Sequence, residues 1–288
     1  MNDIPLQAVQ HLRPMRGGSQ SHLMRASDGA FYVVKFQNNP QHIRVLANEF
    51  LAGRLARLLD LPVPEVKIIA VSDWLVRHSA EMRVRSAAGS ALCSSGRQLG
   101  SLHSRGEAEG DLFDYLPDPI LEQVTNLRDF ARMLVFDKWT SNDDGRQAIF
   151  RKPPGKRRYR ATFIDHGYCF GAGEWTYTDA AARGVFANYS VYRQVQGWED
   201  FEPTLEKAEQ ADIDQLWSCA AGLPEEWYEG DRTGLERLIE ELYRRRSRIR
   251  DLIDAFRRST RPPFPNWKRA LDPSRRLAGS NDEAEVHG

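Results

Sequence analysis

Cysteine is scarce in this chain, with three in 288 residues, at positions 93, 169 and 219. They are too few and too scattered for a disulfide framework or a Cys-rich zinc site. Charge of one sign is lacking as well. Forty Lys and Arg offset forty Asp and Glu, which argues against a dedicated nucleic-acid binder, whose phosphate contacts need a basic surplus. No apolar run approaches ~20 residues, the length of a membrane-spanning helix. The first residues mix Asp3, Gln7, Gln10, His11 and Arg13 with apolar ones and form no secretory segment. The expectation is a soluble, cytoplasmic, reduced protein that contacts neither nucleic acid nor membrane. Hydrophobic residues make up 41% and charged residues 28%, as in ordinary globular chains. The length suits one large domain or two packed lobes, with a core that needs no staples.

The first seventy residues alternate between strand and helix signals. Leu6–Leu12 reads as a strand, broken by Gly17-Gly18-Ser19-Gln20-Ser21. His22–Arg25 and Phe31–Phe36 flank Asp28-Gly29, a hairpin signal. Pro40–Leu59 carries an apolar stripe of helical spacing, and Val66–Val71 reads as a strand. From 72 to 117 the pattern is irregular, the best place for a connection between lobes. Pro119–Trp139 reads as one helix, followed by a polar loop, Thr140–Arg146, and a hairpin of Gln147–Lys152 and Tyr159–Ile164. The last third is helical. Thr233 with Glu236 forms a capping box, and apolar spacing continues to Phe256 as one long amphipathic helix. Residues 270–288 are polar, the composition of a disordered tail.

The order of these parts is more informative than any one of them. Gly17–Ser21 offers flexible backbone amides of the kind that cradle phosphates. Lys35, on the next strand but one, offers a cation for them. A free lysine would wander, so a helical carboxylate must hold it, and Glu49 is placed for that. Glu49 shares a helical stripe with Ala52, Gly53 and Ala56, small residues that let a helix approach a sheet. Asp165, at the end of a strand and followed by His166-Gly167, suits a magnesium ligand, since that ion prefers hard oxygens. Within Ser141–Gln147 lies a carboxylate to orient an attacking hydroxyl. Each part alone has an ordinary reading: a loop, a surface lysine, an exposed helical glutamate, a turn rich in Asn and Asp. Together, in this order, they favour a two-lobed phosphoryl-transfer enzyme.

Over nearly its whole length the sequence resembles the HipA-like kinase family. The resemblance rests on Gly17–His22, Tyr32–Phe36, Asn48-Glu49 with Leu61–Pro64, Phe136–Trp139, Asn142–Phe150 and Phe163–Phe170. It continues through Gly173–Trp175, Phe201–Pro203, Pro224–Tyr228 and Pro263–Trp267. It implies an α+β, bilobal, protein-kinase-like fold: a β-rich nucleotide-binding lobe over 1–100, a larger, mainly helical catalytic lobe over 101–267, and a tail over 268–288. It implies ATP and Mg2+ as cofactors and transfer of the γ-phosphate to a hydroxyl, usually of Ser or Thr, the chain itself included. Carried over, Lys35 holds phosphates with Gly17, Gly18, Ser19, Gln20 and Ser21, Asp144 is the catalytic-loop carboxylate, and Asp165 the metal ligand.

The chain departs from the family at the catalytic loop. Relatives place a metal-binding Asn five positions after the Asp, where this chain has Ile149, which cannot ligate. A loop shorter by two residues puts Gln147 there instead, with an amide oxygen on a side chain one methylene longer. Two functions compete on these residues. One is an active kinase with a protein or small-molecule acceptor; the other is a pseudokinase that holds nucleotide or a partner without turnover. Lys35, Asp144 and Asp165 favour the first, and the absent Asn favours the second. Elsewhere, His22, His103 and His166 lack metal-ligand spacing and read as hydrogen-bonding residues. Arg244–Arg246 with Arg248 and Arg250 reads as the solvated face of a helix. Trp139 and Trp175 read as core.

Overall fold

The computed structural model describes residues 5–87, 89–106 and 109–268; all but the first residue of the expected tail lies outside them. In chain order the elements are β1 (Leu6–Pro14), β2 (His22–Ala26), β3 (Phe31–Lys35), α1 (Arg44–Leu58), β4 (Val66–Val71), α2 (Asp73–His78), β5 (Arg83–Ser86), β6 (Gly89–Leu92), β7 (Gly96–Ser104) and β8 (Asp111–Phe113). After these come α3 (Asp118–Leu121), α4 (Asp129–Thr140), β9 (Gln147–Lys152), β10 (Arg160–Ile164), α5 (Thr204–Gln210), α6 (Ile213–Ala220), α7 (Arg232–Arg245) and α8 (Ile249–Arg257). The fold mixes helix and strand.

Five strands close into a barrel in the order β1-β2-β3-β7-β4, shut by a parallel pairing of β1 with β4. Two register shifts bend β1, as bulges do, and let a short sheet curl. The β2–β3 turn forms as its sequence dictates: Asp28 Oδ1 accepts from Ala30 N at 3.0 Å and Gly29 takes a φ of +82°. Met24, Tyr32, Val34, Ile69 and Val71 fill the barrel. Helix α1 starts later than its apolar stripe suggests, because Asn39 Oδ1 takes the amides of Gln41 and His42 into a turn of their own. At Gly53 the helix lies close against β4, where a Cβ would be 3.1 Å from Val66 Cγ1.

The stretch 72–117 is not irregular. It holds α2, the β5–β6 hairpin, the barrel strand β7 and β8, which pairs with β9. Its strands escape the sequence pattern for physical reasons. All four residues of β6 are exposed, so they show no alternation. Strand β7 carries glycine at its centre because a Cβ at Gly100 would sit 2.5 Å from Ile69 Cγ1. The barrel therefore runs to Ser104, past the expected boundary at residue 100.

In the rest of the chain α4 is the central element. Phe130, Phe136 and Trp139 are buried, and the Phe130 ring meets Phe163 and Phe186 edge-on at centroid distances of 4.9 and 4.8 Å. The single helix expected over 119–139 is broken into α3 and α4. Between them Val124 bridges Tyr159, and Thr125 N donates to Tyr159 O, so the chain there serves a sheet edge. The long helix expected through Phe256 is broken too, by a 3-10 turn at Arg246–Arg248. Its N-cap is Asp231, whose carboxylate accepts from Gly234 N, and not Thr233. Nor is its arginine run wholly solvated. Arg245 is 2% exposed. It donates to the carbonyls of Lys138 and Trp139, which the end of α4 leaves open, and pairs with Asp179 at 2.8 Å.

The segment between β4 and β7 is fastened to the barrel through His22. Its Nδ1 meets His11 Nε2 at 3.0 Å and its Nε2 meets Cys93 Sγ at 3.5 Å. Burial, then the neighbouring His11, brings its pKa down to about 4. The unfolded chain, with histidine near ~6.5, takes up a proton that the folded chain refuses between those values. Stability from His22 is therefore present above that range and is lost as pH falls toward 4. We expect His22→Gln to flatten the decline in melting temperature between pH 7 and pH 5 relative to wild type. Parallel declines in the two proteins would contradict this.

Candidate functional site

The site gathers at the end of β3. Lys35 is its last residue, 7% exposed. Its ammonium donates to Glu49 Oε2 at 2.9 Å and to Asp165 Oδ1 at 3.0 Å. Burial alone would lower the lysine pKa, but the two carboxylates outweigh it and hold it above its ordinary value. Burial also opposes ionisation of Asp165. Lys35, Arg146 and the Gly167 N–H outweigh that and keep its carboxyl below the usual range. Glu49 has a second partner in the same place, since its Oε2 accepts from His166 N at 3.0 Å.

Asp165 follows β10 with a φ of +61°, a left-handed turn that a residue with a Cβ adopts at a cost. The chain beyond it lies directly on α1. A Cβ at Gly167 would be 2.6 Å from Val45 Cγ1, so this position has to be glycine. Gln147 opens β9 opposite Ile164 in the register, and its Nε2 donates to Asp165 Oδ2 at 3.1 Å. One carboxylate oxygen of Asp165 thus faces the ammonium and the other a carboxamide.

A buried ion pair supports this corner from below. Arg146 is 4% exposed and Asp137 2%. The guanidinium makes several bonds to the Asp137 carboxylate and donates to Ile164 O at 2.8 Å, Asp165 O at 3.2 Å and His166 Nδ1 at 3.1 Å. Because Arg146 can only donate, His166 accepts at Nδ1 and carries its hydrogen on Nε2, a buried atom without a partner among the described residues. Burial, Arg146 and Lys35 all keep that imidazole neutral, with its pKa well below the ordinary value. Asn142 Nδ2 adds a 3.0 Å bond to Asp137. The polar loop between α4 and β9 is thereby tied to the Asp165 turn by a single side chain.

The expected residues divide into two groups. Lys35, Glu49, Asp165 and Gln147 meet through hydrogen bonds. Asp144 stands apart, exposed with Gly145 on a loop whose other residues are buried or half-buried. Its amide N–H donates to Asn142 Oδ1, its Oδ1 accepts from Gly145 N at 2.7 Å, and its carbonyl accepts from Gly184 N. Gly17–Ser21 links β1 to β2, whose first residue pairs with Val34, the neighbour of Lys35. In that loop the Gln20 carboxamide is engaged away from the cluster, exchanging two hydrogen bonds of 2.7 Å with the backbone of Arg85 on β5. Ile149 is half-buried inside β9, paired with Thr162.

A family model described as a HipA-like kinase matches residues 9–258. The chain belongs to the HipA-like kinase family. That membership makes it a phosphotransferase. Among solved structures, this HipA-like kinase is similar in fold to the Golgi casein kinase, at 13% identity over 90% of this chain and 75% of that one, with a TM-score of 0.51. A second structure of that kinase, with Mn and ADP bound, aligns over 88% of this chain and 74% of that one at 13% identity and a TM-score of 0.46. The proinflammatory kinase CtkA of Helicobacter pylori aligns over 83% of this chain and 96% of its own at 13% identity, with a TM-score of 0.49. No curated protein matches the chain.

Sequence reasoning overlooked three parts of this kinase's site. Asp137 and Arg146 are nine residues apart, on a helix and a loop, and show no local pattern. The available signal was a charged pair, Asp137-Lys138, inside the apolar run Met133–Trp139 of a helix. Trp175 is half-buried, and its indole N–H donates to Asn48 Oδ1 at 2.7 Å, so it does more than fill the core. Breaking a buried pair by removing one partner costs about 3–5 kcal/mol, because the other charge is left uncompensated. We expect Asp137→Ala to lose that much in urea denaturation, and Asp137→Leu combined with Arg146→Met to lose less. A loss below ~1 kcal/mol for Asp137→Ala, the range of exposed pairs, would contradict the account.

Proposed function

We propose that this HipA-like kinase transfers the γ-phosphate of ATP, with Mg2+, to a hydroxyl of protein Ser or Thr, its own included, in a cleft between two lobes. The observation that carries this reading is the Lys35 ammonium held between Glu49 and Asp165 at 2.9 and 3.0 Å. A buried lysine between two carboxylates stays charged and is fixed, and a lysine paired with a helical glutamate is what positions nucleotide phosphates in kinases. The backbone of Gly17–Ser21 would cover the phosphates. Val33 lies two residues before Lys35 on the same strand face and would meet the base.

Among the described residues no group of three or more His, Cys, Asp or Glu could hold a metal. A divalent ion would take Asp165 Oδ2 and the Gln147 amide oxygen, the carboxamide turning to replace the Nε2–H that donates to Oδ2 in this structure, with the remaining ligands from phosphate. Magnesium commonly takes one or two carboxylates in this way, so the residues fit. When bound it would neutralise charge building on the phosphate oxygens. Asp144 would accept the acceptor's proton as its oxygen forms a bond to Pγ and the bond from Pγ to the β–γ bridging oxygen breaks. The exposure of Asp144 suits a group that must reach an external acceptor.

ATP with Mg2+ is expected to raise the melting temperature, because a ligand that binds only the folded state stabilises it. Lys35→Ala and Asp165→Ala should shrink the shift. Asp144→Asn should leave the shift intact and cut transfer by ~10²–10⁴-fold, the contribution of a positioned general base. Gln147→Ala should raise the magnesium concentration needed for half-maximal rate. Phosphate on the protein by mass spectrometry, with ADP release in parallel, reads the reaction. Binding without transfer to itself, to generic protein acceptors or to water would replace this reading with that of a nucleotide-holding module.

A further inference from the structure

The segment beyond Asp165 follows an unusual path. Phe170, Ala172 and Trp175 have φ values of +62°, +57° and +53°, with Gly171 among them at +72°. Three residues with side chains in the left-handed region within six positions make a strained path. Such a path persists only where its surroundings over-determine it, and it clusters at switches and active sites.

The surroundings here are the end of α4, whose Thr140 O accepts from Phe170 N at 2.7 Å, and one face of α1. Asn48 is 1% exposed. Its Nδ2 donates to Gly167 O at 2.9 Å and to Ala172 O at 2.7 Å, and its Oδ1 accepts from Trp175 Nε1 at 2.7 Å. Both amide hydrogens and the amide oxygen are thus spent on one stretch of nine residues. One turn earlier, Arg44 lays its guanidinium 4.5 Å from the Trp175 ring centroid and donates to Gly173 O at 3.3 Å. Positions 44 and 48 are four apart and share a helix face, as do 45 and 49. Val45 receives Gly167, and Glu49 holds both the His166 amide and Lys35.

A buried amide whose role was only to fill the core would need partners from its own surroundings, not three from a single strained segment. We propose that Asn48 is a positioning residue for phosphate transfer: it latches segment 166–175 onto α1 and so fixes the Glu49–Lys35 pair that the reading above places on ATP. With the latch closed, the strained path is held and Glu49 is in place. With it open, Ala172 and Trp175 relax, and α1 keeps only Glu49 and Val45 as its contacts next to Asp165.

Hydrogen exchange by mass spectrometry on the full chain tests the latch without requiring turnover. In Asn48→Ala, exchange over 166–175 should rise by about tenfold or more while α4 and α7 stay as in wild type, since local opening is separable from global unfolding. Trp175→Phe removes one bond of the same latch and is the milder variant. It should loosen the same residues less, and adding it to Asn48→Ala should change little, as expected of groups acting as a unit. A uniform rise along the chain, or fully additive effects of the two substitutions, would overturn the latch. In the transfer assay, kcat per folded molecule should fall by about tenfold or more with the KM for acceptor unchanged. Local loosening with kcat unchanged would overturn the positioning role. Should wild type transfer no phosphate, the reading of the site as a kinase fails, and the exchange pattern alone decides whether the latch stands.

Discussion

The arrangement depends on one buried ammonium. Lys35 Nζ is placed at the end of a barrel strand, within 3.0 Å of carboxylates from two other parts of the chain, Glu49 on α1 and Asp165 after β10. A lysine removed from water without partners would lose its proton. The same burial that would discharge it makes both contacts strong. Each of the three elements therefore needs the other two: the strand end for the cation, the helix for the first anion, and the β10 turn for the second.

That requirement accounts for much of the surrounding packing. Helix α1 must come close, so Gly53 faces Val66 and Gly167 faces Val45, each where a Cβ would crowd a valine. The Asp165 turn must be held, so Arg146 reaches its carbonyl and that of Ile164 while anchored on Asp137. The end of α4, which carries Asp137, is closed in turn by Arg245. Buried charge at the site is thus supported by further buried charge, each with a named partner, as the cost of burying an unpaired ion demands.

Much of this was legible in the sequence. The Asp28-Gly29 hairpin, the strand ending in Lys35, the apolar stripe of α1 and the β9–β10 hairpin each follow local rules. Their order, together with the resemblance to a kinase family, draws Lys35, Glu49, Gln147 and Asp165 into one expected neighbourhood. What stayed hidden has non-local causes. Strand β7 reads as loop because Gly100 answers to Ile69 across the sheet. Arg245 reads as surface because a run of arginines shows nothing of the helix end that one of them closes. The α3–α4 break follows from a bridge to Tyr159, far along the chain. Asn48 is one polar residue on a helix, and only the fold shows that its three partners belong to one segment.

The most direct measurement compares two losses in a single variant. Glu49→Gln keeps the size of the side chain and an oxygen for the His166 amide, but removes the charge that orients Lys35. If the ammonium between two carboxylates is the working part of the site, phosphate transfer should fall by far more than the free energy of unfolding, each measured on the same preparation. Equal proportional losses, or a loss of stability with the transfer rate per folded molecule unchanged, would contradict the account and make Glu49 a residue of the core.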